Sequence, residues 1–301
     1  MGSLRSLALV ALVVAGAALA ADDPWESPQA DTEMLLMRAM TLGKADVVVN
    51  LADDPWSGAN GPARVELPLA KDDAAEVARC RELVAAGDHD GAARAIDALL
   101  AKNPANWDAL VVRASSLHAK KTDAEAMAAL RASIIGNRRN PDAWKLLDDV
   151  AKALGKKVAR PAIDLRGWAR ELGKDRIEIG YVAADKVEGP WNYYACARAV
   201  YRWGGQFAAD FPAVKTYAFT FREQMVAMAV LASEAAEEKK GGAKLPPDLV
   251  RVLAEKKAGT LAPFAFFAAY PEALGASPEK DFELLRPRLQ KYFDEKIVVR
   301  K

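Results

Sequence analysis

The chain is poor in the residues that most site chemistry uses. Its 301 residues include two histidines and two cysteines. That excludes a disulfide scaffold, which needs several cysteines in a short chain. It holds no HExxH, no paired Cys-x-x-Cys, no Walker loop and no G-x-S-x-G elbow. No cofactor motif and no catalytic constellation stands out, so the expected function is binding rather than catalysis. An excess of charge is also missing, with 42 Lys and Arg against 41 Asp and Glu. A balanced chain has no global field for nucleic acid or for an anionic membrane. Beyond the N-terminus no apolar run approaches the ~20 residues that span a bilayer.

What is present begins with MGSLRSLALVALVVAGAALAADDPW. Arg5 is the only charged side chain before Asp22. Ser6 to Ala20 is apolar, and Ala18-Leu19-Ala20 puts small residues at a cleavage point. A basic n-region, a short apolar h-region and an A-x-A site make a secretory signal peptide. Removal of residues 1–20 leaves no membrane span and balances the chain at 41 basic and 41 acidic residues. The expected location is therefore exported, periplasmic or secreted. That compartment permits a bridge between Cys80 and Cys196. Their apolar helical neighbours favour buried thiols instead.

Residues 21–72 read as an N-terminal arm or small subdomain. Ala-Asp-Asp-Pro-Trp occurs at 21–25 and again at 52–56. Asp31 to Met40 has a helical pattern, and short extended segments fall within 46–69, around Val47-Val48-Val49 and from Val65 to Leu69. Paired Asp before Pro suits a turn. A calcium site from Asp22, Asp23, Asp53 and Asp54 would lack the spaced oxygens of a dedicated loop.

Residues 73–157 are helical and repetitive. Gly87-Asp88-His89-Asp90-Gly91-Ala92 leads into Ile96, Leu99 and Asn103-Pro104. Gly87 can close a helix with positive φ, Ala92 is small where two helices meet, and Pro104 cannot extend a helix. Ala126, Leu130 and Ser133 each stand 34 residues after Ala92, Ile96 and Leu99. Asn-Pro followed by Trp recurs as Pro104 to Trp107 and Pro141 to Trp144, the second exit being three residues longer. A third first-helix is expected from about Trp144 to Leu154, ended by Gly155. This stretch resembles the tetratricopeptide repeat, whose period is about 34 residues. The turn Lys120-Lys121-Thr122-Asp123 departs from that pattern by lacking its Gly.

The resemblance implies stacked helical hairpins whose first helices line a concave groove for a protein or peptide partner. The groove face would carry Val77, Arg81 and Val84, then Asp108, Val111, Ser115 and His118, then Lys145, Asp148 and Lys152. With so few repeats, end caps are needed. His89 sits in the hairpin turn and reads as packing. A zinc site from His89, His118 and Cys80 is disfavoured by their helical placement.

Residues 158–301 resemble no family. Leu165 to Leu172 reads as a short helix, and Arg176 to Val182 as a strand or an extended link. Gly189-Pro190 starts a helix to about Trp203. Thr220 and Glu223 have capping-box spacing at the start of a long helix ending before Gly241-Gly242. Pro247 starts another that Gly259 closes, and Pro263 to Tyr270 is a short apolar one. Ser277-Pro278-Glu279 starts a last helix, whose Pro287 should kink or break it. Aromatics crowd residues 191–221. Trp191, Tyr194, Arg198 and Tyr201 share one helix face, which reads as core. The alternative is a small-molecule or enzyme pocket in which the aromatics stack on a ligand and Arg198 holds an anion. The expected fold is mostly α: tetratricopeptide-like hairpins, then an all-α C-terminal region, with short extended segments at 46–69 and 176–182. The expected function is partner binding in the cell envelope.

Overall fold

The computed structural model describes residues 46–51 (backbone only), 71–173, 176–182, 189–270 and 282–301. The first helices alternate with short turns: α1 (Lys71–Ala85), α2 (His89–Lys102), α3 (Trp107–Ala119), α4 (Asp123–Gly136) and α5 (Pro141–Ala153). Three of these starts have a side-chain cap. Asp88 caps α2 by accepting from Gly91 N at 2.8 Å. Asn106 caps α3 by accepting from Ala109 N at 2.9 Å. Asn140 caps α5, accepting from Asp142 N and Ala143 N, with Pro141 in the first turn, where its missing N–H costs nothing. Gly87, between α1 and α2, has φ +80° with nothing within 4 Å of a notional Cβ. Its role is conformational rather than steric.

Beyond α5 come β2 (Lys156–Val158), β3 (Gly167–Gly173) and β4 (Arg176–Tyr181). They are followed by α6 (Gly189–Trp203), α7 (Gln206–Asp210), α8 (Phe221–Lys240), α9 (Pro247–Lys257), α10 (Leu261–Ala268) and α11 (Phe282–Tyr292). A π-helical turn at Phe293–Ile297 and β5 (Val298–Arg300) complete the described chain. With β1 (Asp46–Leu51), two small sheets form. In the first, β4 lies between β1, parallel to it, and β3, antiparallel. In the second, β2 pairs antiparallel with β5.

Mostly helical architecture with hairpin repeats followed by further helices is what the periodicity predicts. The segment 176–182 is extended, as expected, and becomes β4. Its neighbour corrects the expectation of a helix at 165–172. Residues 167–173 form a strand because β4 offers a ladder and a side-chain partner: the Arg170 guanidinium pairs with Glu178 across the strands. Gly167 is required there, since a Cβ would lie 2.5 Å from the Trp191 carbonyl oxygen of α6. A second correction concerns α5, which starts at Pro141 rather than Trp144. Trp107 opens its helix, whereas Trp144 lies one turn inside its own. Of the kink or break expected at Pro287, the break is absent: helix α11 runs through that residue, with Leu285, Leu289 and Tyr292 buried. Ser277 to Glu279, Asp31 to Met40 and Val65 to Leu69 lie outside the described residues.

Two cores divide the repeats. Val77, Cys80, Ala92, Ile96, Leu99, Ala109 and Val112 form one between α1, α2 and α3. The larger core starts in α3 and α4 and continues without interruption into the C-terminal helices. Val111, Leu130 and Leu147 share it with Trp191, Phe221, Phe264, Leu289 and Phe293. Polar links cross the same boundary. Arg131 pairs with Asp294 at 2.5 Å, and Arg138 donates to the Phe267 carbonyl at 2.7 Å. A third cluster packs Ile177 and Ile179 of β4 on Ala195, Cys196, Ala199 and Val200 of α6. Both cysteines are free and buried.

Candidate functional site

Helices α1 and α3 are the first members of two successive hairpins, α5 follows them as a single helix, and a cleft opens along all three. Its volume is about 430 Å³, within the range of ligand-holding clefts. Val84, Ala85, Val111, Val112 and Leu146 give it an aliphatic lining, with Ser115 among them. Arg81 comes from α1, and Asp142, Lys145 and Asp149 from α5. The chemistry on offer is aliphatic contact, both signs of charge and a hydroxyl. Nothing there resembles a nucleophile with its base.

Arg81, Val84, Val111, Ser115 and Lys145 were expected on this face and do line the cleft. The other five expected residues do not. Val77 is 2% exposed and belongs to the core between α1 and α2. Asp108 is half-buried, accepts from Asn140 Nδ2 at 3.0 Å and stands 3.6 Å from Arg81. It thereby ties the α5 cap to the α1 wall. His118 pairs with Asp123 across the turn into α4. Asp148 is engaged by Arg160, whose guanidinium lies 5.4 Å over the Trp144 ring. Lys152 is exposed but does not line the cleft.

Sequence reasoning missed Ala85, Val112, Asp142, Leu146 and Asp149. The signal for two of them was available. Asp142 and Asp149 stand 34 residues after Asp108 and Ser115 of the expected face. Keeping the 34-residue period through α5 finds them. Anchoring the third helix on Trp144 shifts the face by three positions and brings in Asp148 while losing Asp142 and Asp149.

Residues 77–143 match the tetratricopeptide-repeat family model. The tetratricopeptide segment therefore spans α2, α3, α4 and most of α1, and it reaches the first turn of α5. It includes the α1 and α3 walls of the cleft. Neither a curated protein nor a solved structure gave a match to the chain. Of the α5 wall the match takes in Asp142 alone; Lys145, Leu146 and Asp149 lie beyond it.

The alternative pocket at α6 is not an opening. Trp191, Tyr194 and Tyr201 are at most 2% exposed and Arg198 is 8% exposed. Arg198 Nε donates to Glu223 Oε1 at 3.0 Å, and its guanidinium lies 4.5 Å over the Phe219 ring. Tyr217 donates its hydroxyl to the other Glu223 oxygen at 2.5 Å. Tyr194 donates to Gln224 Oε1 at 3.2 Å, and Tyr201 to Asp210 Oδ2 at 2.7 Å. Burial pushes the Glu223 carboxyl above its usual range, with Arg198 opposing. Burial and the Glu223 charge push the Tyr217 hydroxyl up as well. The guanidinium has its anion already, so the arrangement is a paired polar core rather than a ligand site.

No group of three or more His, Cys, Asp or Glu comes together to hold a metal among the described residues. Asp22, Asp23, Asp53 and Asp54 lie outside them. No helix among the described residues is long and apolar enough to cross a membrane.

Proposed function

We propose that this chain is an exported adaptor whose tetratricopeptide cleft binds a protein or peptide partner in the cell envelope. The observation that carries the binding reading is the cleft itself. The first helices of two successive hairpins and the single helix α5 that follows them present Arg81, Val111, Ser115, Lys145 and Leu146 to one shared opening, inside and beside a segment matching a family of interaction repeats. Export, to the periplasm or beyond, rests on Arg5, the apolar run to Ala20 and the Ala18-Leu19-Ala20 site. The non-catalytic reading rests on the lack of any catalytic motif and on the family resemblance. With balanced charge, nucleic acid is not the proposed partner.

The C-terminal region from about residue 158 serves as the cap that a short solenoid needs. Its support is the continuous core from Leu130 and Leu147 to Phe264 and Leu289. The test of function is affinity capture of the mature protein from its own envelope, comparing wild type with Arg81→Glu/Lys145→Glu. A partner lost from the double variant, with its melting temperature unchanged, agrees with the proposal. A partner retained at full yield by the variant contradicts it.

A further inference from the structure

The charged wall on α5 narrows the chemistry of the occupant. Asp142, Lys145 and Asp149 sit at i, i+3 and i+7 on one face of that helix. Asp142 and Asp149 are therefore ~10 Å apart along the axis, at about 1.5 Å per residue. The spacing allows Lys145 to reach either carboxylate, yet no ion pair joins it to either. The Asp142 and Asp149 carboxylates and the Lys145 ammonium have no side-chain partner among the described residues. On the opposite wall Arg81 is associated with Asp108. In the lining itself Arg81 and Lys145 balance Asp142 and Asp149, but Asp108, outside the lining and 3.6 Å from Arg81, offsets that cation, so the α5 wall is left with two carboxylates against one ammonium beside an aliphatic floor. The excess lies on the α5 side, because the α1 cation has its acid and the α5 acids lack a partner.

Resting on the groove reading above, we propose that the cleft takes a short cationic, aliphatic peptide segment. Its Val- or Leu-sized side chains fill the floor between Val84, Val111 and Leu146. Its basic side chains meet Asp142 and Asp149. A segment in the polyproline II conformation has three residues per turn and rises about 3.1 Å per residue, so basic residues three apart share one face and lie ~9 Å apart, close to the ~10 Å between the two carboxylates. Ser115 supplies a hydroxyl for the peptide backbone near the middle.

The test uses the full mature chain and two fluorescein-labelled peptides, Gly-Lys-Val-Leu-Lys-Val-Gly and the same peptide with Glu for both Lys. Fluorescence anisotropy is read on wild type, on Asp142→Asn/Asp149→Lys, and on the cleft-blocking variant Leu146→Glu. Circular dichroism confirms that each variant is folded, and Asp149→Lys alone stands in if the double variant is not. The proposal expects the Lys peptide to bind wild type at least about fivefold more tightly than the Glu peptide, roughly 1 kcal/mol per well-placed ion pair. It expects the charge variant to lose or reverse that preference and Leu146→Glu to abolish binding. Equal binding of both peptides, abolished by Leu146→Glu, overturns the charge assignment and leaves the groove reading standing. Tighter binding of the Glu peptide does the same. If neither peptide binds, the cationic occupant is refuted, and envelope capture with Arg81→Glu/Lys145→Glu separately decides the groove.

Discussion

Replacing Arg198 with Met should destabilise the protein strongly, and more at neutral than at acidic pH. Arg198 and Glu223 form a buried pair with Nε to Oε1 at 3.0 Å, and Glu223 is 1% exposed. Removing the guanidinium leaves a carboxylate in a low-dielectric site with only the Tyr217 hydroxyl on it. Breaking such a pair from one side costs about 3–5 kcal/mol. The pH sign follows from the Glu223 carboxyl, which burial already raises and Arg198 restrains. Without Arg198 it rises further, so the folded state holds a proton that the unfolded chain releases. Stability then falls as pH rises above the ordinary carboxyl range of the unfolded chain. Urea denaturation at pH 5 and pH 7 reads both effects. Replacing all three groups with apolar ones, Arg198→Met, Tyr217→Phe and Glu223→Leu, should recover most of the loss, because no charge is then stranded. A loss for Arg198→Met below about 1 kcal/mol, equal at both pH values, would show that water reaches these groups. The paired-core account of α6 and α8 would then be wrong.

Three further outcomes follow from single positions. Asn140→Ala removes both the α5 cap and the hydrogen bond to Asp108. It should cost about 1–2 kcal/mol in chemical denaturation, with a cost near zero refuting the cap. Burial pushes the Cys196 thiol up to about 11. It should resist alkylation until unfolding, and its contribution to stability, full below the unfolded thiol's value near 9, should be lost as pH rises toward 11, by roughly 2–3 kcal/mol at most. Ready labelling in the native protein at pH 8 would contradict this. Gly87→Ala meets no atom within 4 Å but must hold φ +80°, so it should cost about 1–2 kcal/mol from backbone strain alone, readable as a fall in melting temperature.

What the sequence made legible was local. Gly87 at a positive φ, the cap at Thr220 and the small Ala92 and Ala126 at helix contacts all have causes within a few residues. The 34-residue step from Ile96 to Leu130 exposes the repeat itself. The structure departs from expectation where long-range pairing decides. Nothing near Asp46 announces that it faces Arg176 in a parallel ladder. Residues 165–172 carry an amphipathic pattern that suits a helix, but β4 and the close approach of Gly167 to α6 make a strand. In the cleft, Arg81, Val111 and Ser115 were readable from the repeat. Asp142 and Asp149 were hidden by a tryptophan that marks different turns in its two helices. The aromatic crowd at 191–221 is ambiguous in one dimension, because a core and a pocket share a composition. The partner at Arg198, Glu223, is what separates them.

The central claim is that the α1–α3–α5 face meets a partner, and site-specific photocrosslinking in the native cell tests it most directly. A photoreactive residue at Ser115, in the cleft, should yield a discrete higher-mass adduct. The same residue at Val250, 52% exposed on α9, should not. An adduct from position 250 with none from position 115 would contradict the account.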